Sequence, residues 1–397
     1  MSEQHGTRPA QQGVGPAQYE RLRQKVTAWV TGPGEEWAAR IEATGQVPEQ
    51  LWAELREEGF LRMAAPRSYG GHGLSFTQWM GLMEIFSRSH GSLRMIVHVV
   101  NGIWRAMDPF ATDEQRKKFV LPAIEGDLKI AFTLTEPGNG TGADITTSVE
   151  RDGDTYHLTG DKHLITFGVR CDYYLLAARV AGSTGHEGTV CLLVPRDAQG
   201  VHVEDTSQTM GVTGTDHATL RFERTPVPVA NRLGKEGEGL DVALGGFLTP
   251  SRISVGMSCV GLAQRAQELA LDYARSRHTF GKKLTGRQAV QFMLAENAAD
   301  IEAAKQLVMH AARTFEEGGE DASMLSSMAK MTAVSMLTRV TDNALQVHGG
   351  LGYWKTSPIE RVYRDARAQR FEEGTNEIQK TVVFRELLRA HTQGGNP

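Results

Sequence analysis

The chain has 397 residues, 40% hydrophobic and 23% charged, with a net charge of −4 at pH 7. This composition excludes a disordered chain and leaves material for a sizeable core in roughly two to three domains. The balance lacks the basic footprint of a generic nucleic-acid or membrane-surface binder, no run approaches the ~18 to 20 apolar residues of a membrane span, and three scattered cysteines (Cys171, Cys191, Cys259) fit a reducing, cytoplasmic setting rather than a disulfide framework.

Residues 1–18 are polar and rich in Gln, Gly and Pro, and read as a disordered tail rather than a signal peptide. Residues 19–128 read as a helical domain. Leu51, Leu55, Phe60 and Leu61 mark one apolar face, Pro66 and the glycines around His72 break the chain, and Trp79, Leu82, Met83 and Phe86 follow the i, i+3, i+4, i+7 spacing of a helix over 76–89. Another helix is expected from Ser92, and Asp113-Glu114 opens a third. From 129 to 239 the segments 155–158, 173–178, 190–194 and 217–222 are short, rich in Val, Leu, Tyr and Thr, and bounded by Gly, Asp or Pro, as in an antiparallel β domain. From 240 to 397 the pattern is helical again. Val290, Met293, Leu294, Ile301 and Val308 hold one face, Gly318-Gly319 turns the chain, and Met324, Met328 and Met331 are expected in the core. Helices, then strands, then helices, without βαβ alternation, predict an α+β chain ending in a helical bundle.

Glycines number 43, where average usage gives about 28. The densest cluster is the Thr135–Gly142 segment, Thr-Glu-Pro-Gly-Asn-Gly-Thr-Gly. It resembles a phosphate loop only superficially, since no long helix follows, and its plainer reading is an irregular loop. Gly349-Gly350 follows a helical pattern and suits a C-cap. Arg277-His278-Thr279-Phe280-Gly281 offers a guanidinium, a hydroxyl and open backbone, suited to a pyrophosphate or to an ordinary basic loop. Glu372-Glu373-Gly374-Thr375 precedes a helix, and its acids serve either the helix start or as a general base. Thirteen histidines without ligand spacing give no metal site.

The order of these segments carries more than any one of them. Thr135-Glu136-Pro137, then 162–166, then Arg277-x-Thr279-Phe280-Gly281 with Gln288, then Gln346-x-x-Gly349-Gly350, Arg364-Asp365 and Glu373-Gly374-Thr375 closely resemble the acyl-CoA dehydrogenase family over residues 19–390. The resemblance implies an N-terminal helical domain, a middle antiparallel β domain, a C-terminal four-helix bundle, non-covalent FAD, and a homotetramer built as a dimer of dimers, or a homodimer. It implies flavin contacts at Phe132, Leu134, Thr135, Gly140, Thr141 and Thr166, and an adenine and pyrophosphate site across a subunit interface at Arg277, Thr279, Phe280 and Gln288. Gln346, Gly349 and Gly350 resemble a second pyrophosphate segment, and Thr375 and Glu377 fall where the closing helix touches FAD. Thr141, Arg252 and Gly374 are similar to residues on the CoA thioester side.

Glu373 matches the family's catalytic base. Its backbone N–H and a flavin ribityl hydroxyl would stabilise the developing enolate, a desolvated carboxylate would take the α-proton, and the β-hydrogen would leave as hydride to flavin N5, giving a trans-2-enoyl-CoA. Electrons would then pass to an electron-transfer flavoprotein or another acceptor. Glu372 stands where the family usually has an aromatic residue. It either meets Arg94 at the acyl cavity, suiting a short or functionalised acyl chain, or turns outward to Arg370 or another surface cation, the commoner fate of such a side chain. Leu164 replaces the family's Trp over the flavin. A carrier-protein-bound acyl substrate and a non-catalytic scaffold homologue are the alternative functions.

Overall fold

The computed structural model describes residues 13–138 and 144–394. The first helices are α1 (Pro16–Thr31), α2 (Pro33–Thr44) and α3 (Glu49–Glu57). Residues 13–18, expected in the tail, are instead built into the fold. Gln78 clamps Val14, accepting from its N–H at 2.9 Å and donating to its carbonyl at 2.7 Å, and Val14 is buried. The same Gln78 closes a capping box with Ser75 at the start of α4 (Phe76–Phe86).

α5 (Gly91–Met107) begins one residue before the expected Ser92. A Cβ at Gly91 would lie 3.0 Å from the Asp365 carboxylate, so glycine permits the approach. Asp365 accepts from the N–H groups of Gly91 at 3.0 Å and Val212 at 2.6 Å, which gives the Arg364-Asp365 pair a structural task. The helix expected from Asp113 is broken into α6 (Asp113–Gln115), a π turn (Arg116–Val120) and α7 (Leu121–Glu125). Pro122 has no N–H to continue a regular ladder.

The sheet contains β1 (Ile130–Thr133), β2 (Ser148–Asp152), β3 (Thr155–Thr166), β4 (Tyr173–Val180), β5 (Thr189–Pro195), β6 (Val201–Asp205), β7 (His217–Pro228) and β8 (Arg232–Leu233). Its order is β6-β7-β3-β2-β4-β5-β8, with β1 beside β4. Most pairs are antiparallel, as expected, but β1–β4 and β2–β4 run parallel, because the chain crosses between these strands rather than returning by a hairpin. The β3–β7 register shifts between Lys162 and Ile165, which leaves Leu164 at φ 56° and 59% exposed.

A π-helical stretch (Asp241–Leu248) leads into α8 (Thr249–Ser276). A two-stranded ribbon, β9 (His278–Thr279) and β10 (Lys282–Lys283), joins it to α9 (Gln288–Glu316), followed by α10 (Ala322–His348), α11 (Pro358–Ala368) and α12 (Asn376–Gly394). The bundle core uses small residues on α10, notably Ala329, Ala333 and Ala344, because α8 comes close: a Cβ at Gly256 would meet Val308 of α9 at 3.0 Å and the Ala329 backbone at 3.7 Å. Met324, Met328 and Met331, expected in the core, are only half-buried on the flank. No helix among the described residues is long and apolar enough to cross a membrane, and the three cysteines are free and buried.

Candidate active site

The turn between α11 and α12 carries Glu372, Glu373 and Gly374. Glu373 has φ 53°, a left-handed backbone unusual without glycine, and Gly374 follows at φ 92°. Three side chains fix this turn through its carbonyls. Arg252 Nε at the start of α8 and Gln379 Nε2 of α12 donate to the Glu373 carbonyl at 3.3 and 3.0 Å. Lys330 Nζ of α10 donates to the Gly374 carbonyl at 2.6 Å. The Glu373 N–H, by contrast, makes no hydrogen bond among the described residues.

The carboxyl of Glu373 accepts a 2.8 Å hydrogen bond at Oε1 from Ser251 Oγ. Desolvation pushes this group up to about 7, with neighbouring Glu372 adding to the rise and Ser251, Arg252 and Lys330 opposing it. Ser251 in turn lies 2.9 Å from Nε2 of buried His98 on α5. Burial, then nearby Arg94, lower His98 to about 4, so the ring is neutral at neutral pH.

Glu372 points inward. Arg94 Nη1 and Nη2 donate to its two carboxylate oxygens, both at 2.8 Å, and Arg94 is only 2% exposed. This corrects the outward arrangement with Arg370. Burial alone would raise the Glu372 carboxyl, but the Arg94 guanidinium beside it more than reverses this and holds it below the usual carboxylate value. One turn apart on α5, Arg94 and His98 face the same way.

A second group of residues lines the β domain. Leu134 and Thr135 end the strand region of β1. The Leu134 carbonyl accepts from buried Lys162 Nζ at 2.9 Å, and the Thr135 carbonyl from the His163 N–H at 2.9 Å, so β1 is stitched to the end of β3, where Thr166 sits. Lys162 also pairs with Glu136 at 3.0 Å. Phe132 stacks on Phe247 with ring centroids 4.2 Å apart, which joins this strand to the segment feeding α8 and its Ser251 and Arg252. The expected contacts Gly140 and Thr141 lie outside the described residues.

The remaining expected residues gather elsewhere. Arg277 follows the last residue of α8, and Phe280 beyond it is 96% exposed at φ 47°. Thr279 lies on β9 and Gln288 begins α9. Tyr273 of α8 stacks on His348 of α10 at 4.6 Å, so Gln346, Gly349 and Gly350 lie at this same end. Gly349 caps α10, as its plainer reading had it, and a Cβ at Gly349 or Gly350 would meet nothing within 4 Å. Thr375 and Glu377 stand at the start of α12, with Glu377 exposed.

These surfaces suit a flavin dinucleotide. The Thr135 and Thr166 hydroxyls make no hydrogen bond among the described residues, Leu164 offers exposed apolar surface two residues from Thr166, and Gly349-Gly350 leaves room for a phosphate to approach backbone. Ser251, His98, Lys330, Gln379 and Phe247 were not anticipated. They lie inside helical segments, where a serine, a histidine or a lysine looks like any other; the one available signal was the spacing of one helical turn between Arg94 and His98.

Comparison with known proteins agrees with this geometry. Models of the N-terminal, middle and C-terminal domains of acyl-CoA dehydrogenase match residues 16–127, 131–225 and 237–388. An acyl-CoA dehydrogenase of Bacillus subtilis is 34% identical, covering 88% of this chain and 92% of its own. Subunit CarC of the caffeyl-CoA reductase–Etf complex of Acetobacterium woodii is also 34% identical, over 88% and 92%. The structure of butyryl-CoA dehydrogenase from Megasphaera elsdenii superposes with a TM-score of 0.89 at 29% identity, covering 95% of this chain and 99% of that one. Matched along nearly its whole length, and with a turn, a bundle and a β wall laid out as described, the chain belongs to the acyl-CoA dehydrogenases, a family of FAD-dependent oxidoreductases.

Proposed function

We propose that this enzyme converts an acyl-CoA thioester to its trans-2-enoyl-CoA, with Glu373 as the base that removes the α-proton. The observation that carries the reading is the Glu373 turn itself. It presents a carboxyl raised to about 7 beside a backbone N–H with no partner among the described residues. The N–H is placed to donate to a thioester carbonyl oxygen as negative charge develops there, while the carboxylate takes the proton. Arg252, Lys330 and Gln379 hold that turn against its own backbone preference. FAD, when bound, supplies the acceptor for the β-hydrogen and its electron pair. Leu134, Thr135 and Thr166 would hold its ring.

The buried Arg94–Glu372 pair supports a short or functionalised acyl chain. Paired, it presents polar surface without net charge, which suits a polar group better than a long aliphatic chain. The short-chain reading is also supported by the likeness to butyryl-CoA dehydrogenase. The relative from an Etf complex supports an electron-transfer flavoprotein as oxidant of the reduced enzyme. A cytoplasmic setting is in keeping with three unpaired cysteines.

The test is anaerobic bleaching of the flavin by a panel of short, branched and polar acyl thioesters, each offered on CoA and on a carrier protein. Bleaching by short or polar acyl-CoA is expected. Bleaching by carrier-protein thioesters alone would move the function to the carrier-bound alternative. Glu373→Gln should retain FAD and lose turnover by about 10²- to 10⁴-fold; full activity in that variant would remove Glu373 from the role.

A further inference from the structure

Ser251 Oγ carries one hydrogen, and an ionised Glu373 carboxylate, having none to give, fixes where it goes. Ser251 Oγ donates to Glu373 Oε1 at 2.8 Å, so its contact with His98 Nε2 at 2.9 Å requires the ring nitrogen to donate. His98 is therefore the Nε2–H tautomer, and its Nδ1, buried and without a hydrogen-bond partner among the described residues, is the bare nitrogen. The result is a chain of donors with one direction, from His98 to Ser251 to Glu373. It ends on Oε1, and Glu373 Oε2 accepts no hydrogen bond among the described residues.

We propose that Ser251 and His98 are positioning residues for proton abstraction, which turn the Glu373 carboxylate so that Oε2 alone faces the substrate as acceptor. The inference rests on the reading of Glu373 as base. A carboxylate in a turn of two left-handed residues has freedom at its side-chain torsions that the backbone contacts do not remove. The serine removes it, and the histidine keeps the serine from pointing its hydrogen elsewhere. Proton transfer is sensitive to such placement, since small misalignments of a base cost rate out of proportion to the bond lost. The charged and titratable groups around Glu373 are Arg252 from α8, Lys330 from α10 and Glu372 from its own turn; those around His98 are Arg94 on its own helix and Glu372 facing it. His98 stays neutral above about 4, and the chain keeps its direction wherever Glu373 is ionised, the state in which it can act as base.

The experiment compares kcat, KM and the pH dependence of kcat/KM in FAD-loaded wild type, Ser251→Ala, Ser251→Thr, His98→Leu and His98→Gln, with the flavin spectrum as the check on folding. Ser251→Ala should lower kcat about tenfold with little change in KM, and should move the acid limb of kcat/KM to higher pH, because the lost hydrogen bond favoured the ionised carboxyl. His98→Leu should shift both in the same direction but less. Ser251→Thr, and His98→Gln with its amide N–H near the place of Nε2, should restore most of the rate. If Ser251→Ala and His98→Leu bind FAD normally and leave both kcat and the acid limb unchanged while Glu373→Gln is inactive, the positioning role is overturned. If Glu373→Gln is itself fully active, the failure lies with the base.

Discussion

Within the proposed function Glu373 can act as a base only when ionised, so its raised pKa sets the lower edge of activity. The rate constant kcat/KM should rise with pH to a plateau and fall away below about 7, as read from a pH profile with a substrate that does not itself titrate there. The neighbouring pair carries a different expectation. Arg94→Leu would leave the largely buried Glu372 without its partner, at a cost of roughly 2–4 kcal/mol in urea unfolding, and the double variant Arg94→Leu/Glu372→Leu should recover most of that loss. At this scale the sequence offered Glu373 only as what the family resemblance implies, since Glu-Gly-Thr alone equally suits a helix start, and it offered both partners of the ion pair by type. It offered their meeting as one alternative but did not favour it, because Arg94 and Glu372 are 278 residues apart and the outward arrangement, with Arg370 at hand, is the usual one for an exposed turn. Ser251 and His98 were hidden for a related reason: their meaning comes only from what faces them across a helix contact.

Among the elements, α8 sets the geometry. It brings Ser251 and Arg252 to Glu373, and it packs on α4 through Gly261, where a Cβ would sit 2.1 Å from the Glu84 carbonyl oxygen. Gly261→Ala should therefore push the two helices apart and cost about 1–3 kcal/mol in chemical denaturation, against almost nothing for Gly286→Ala, where the space is open. On the β side, Glu136 ties the segment after β1 to the rest of the sheet. It accepts from the Thr146 and Thr147 N–H groups at 2.8 and 3.0 Å as well as from Lys162. Burial would raise its carboxyl, but Lys162 and these donors hold it down to about 2 from 4.5. A depressed carboxyl stabilises the fold fully above its unfolded value, and that contribution drains away as pH falls from 4.5 towards 2. Acid unfolding of Glu136→Gln should accordingly be shallower than wild type across this window. Most strands and long helices were legible from periodicity and from the Gly, Asp and Pro that bound them. The parallel pairings were not, since strand adjacency across a crossover leaves no local pattern. Nor was the flank position of the three methionines, because helical spacing identifies a face without saying what lies opposite it.

Taken whole, the molecule separates its two sets of expected cofactor residues along α8. Ser251 and Arg277 are 26 positions apart on or just beyond this helix, roughly 40 Å at 1.5 Å per residue. That is farther than one dinucleotide extends, so within the proposed function the exposed end around Arg277 and Gln346 would serve a flavin whose ring lies against a second copy of the chain. The surface there is in keeping with association: Phe280 is 96% exposed, Tyr353 81% and Trp354 63%. Native mass spectrometry should find an even-numbered assembly, and Arg277→Ala should weaken FAD binding roughly 10- to 100-fold, the loss expected for a charge-assisted hydrogen bond, without moving the acid limb set by Glu373.

The length of α8 then has a genetic consequence. If each reaction centre borrows its dinucleotide grip from a neighbour, no chain owns a complete one. Two defective proteins, Glu373→Gln and Arg277→Ala, assayed at an FAD concentration too low to load the second, should rescue one another when they are dissociated together and allowed to reassociate. In each hybrid pair one centre inherits both lesions and the other inherits neither.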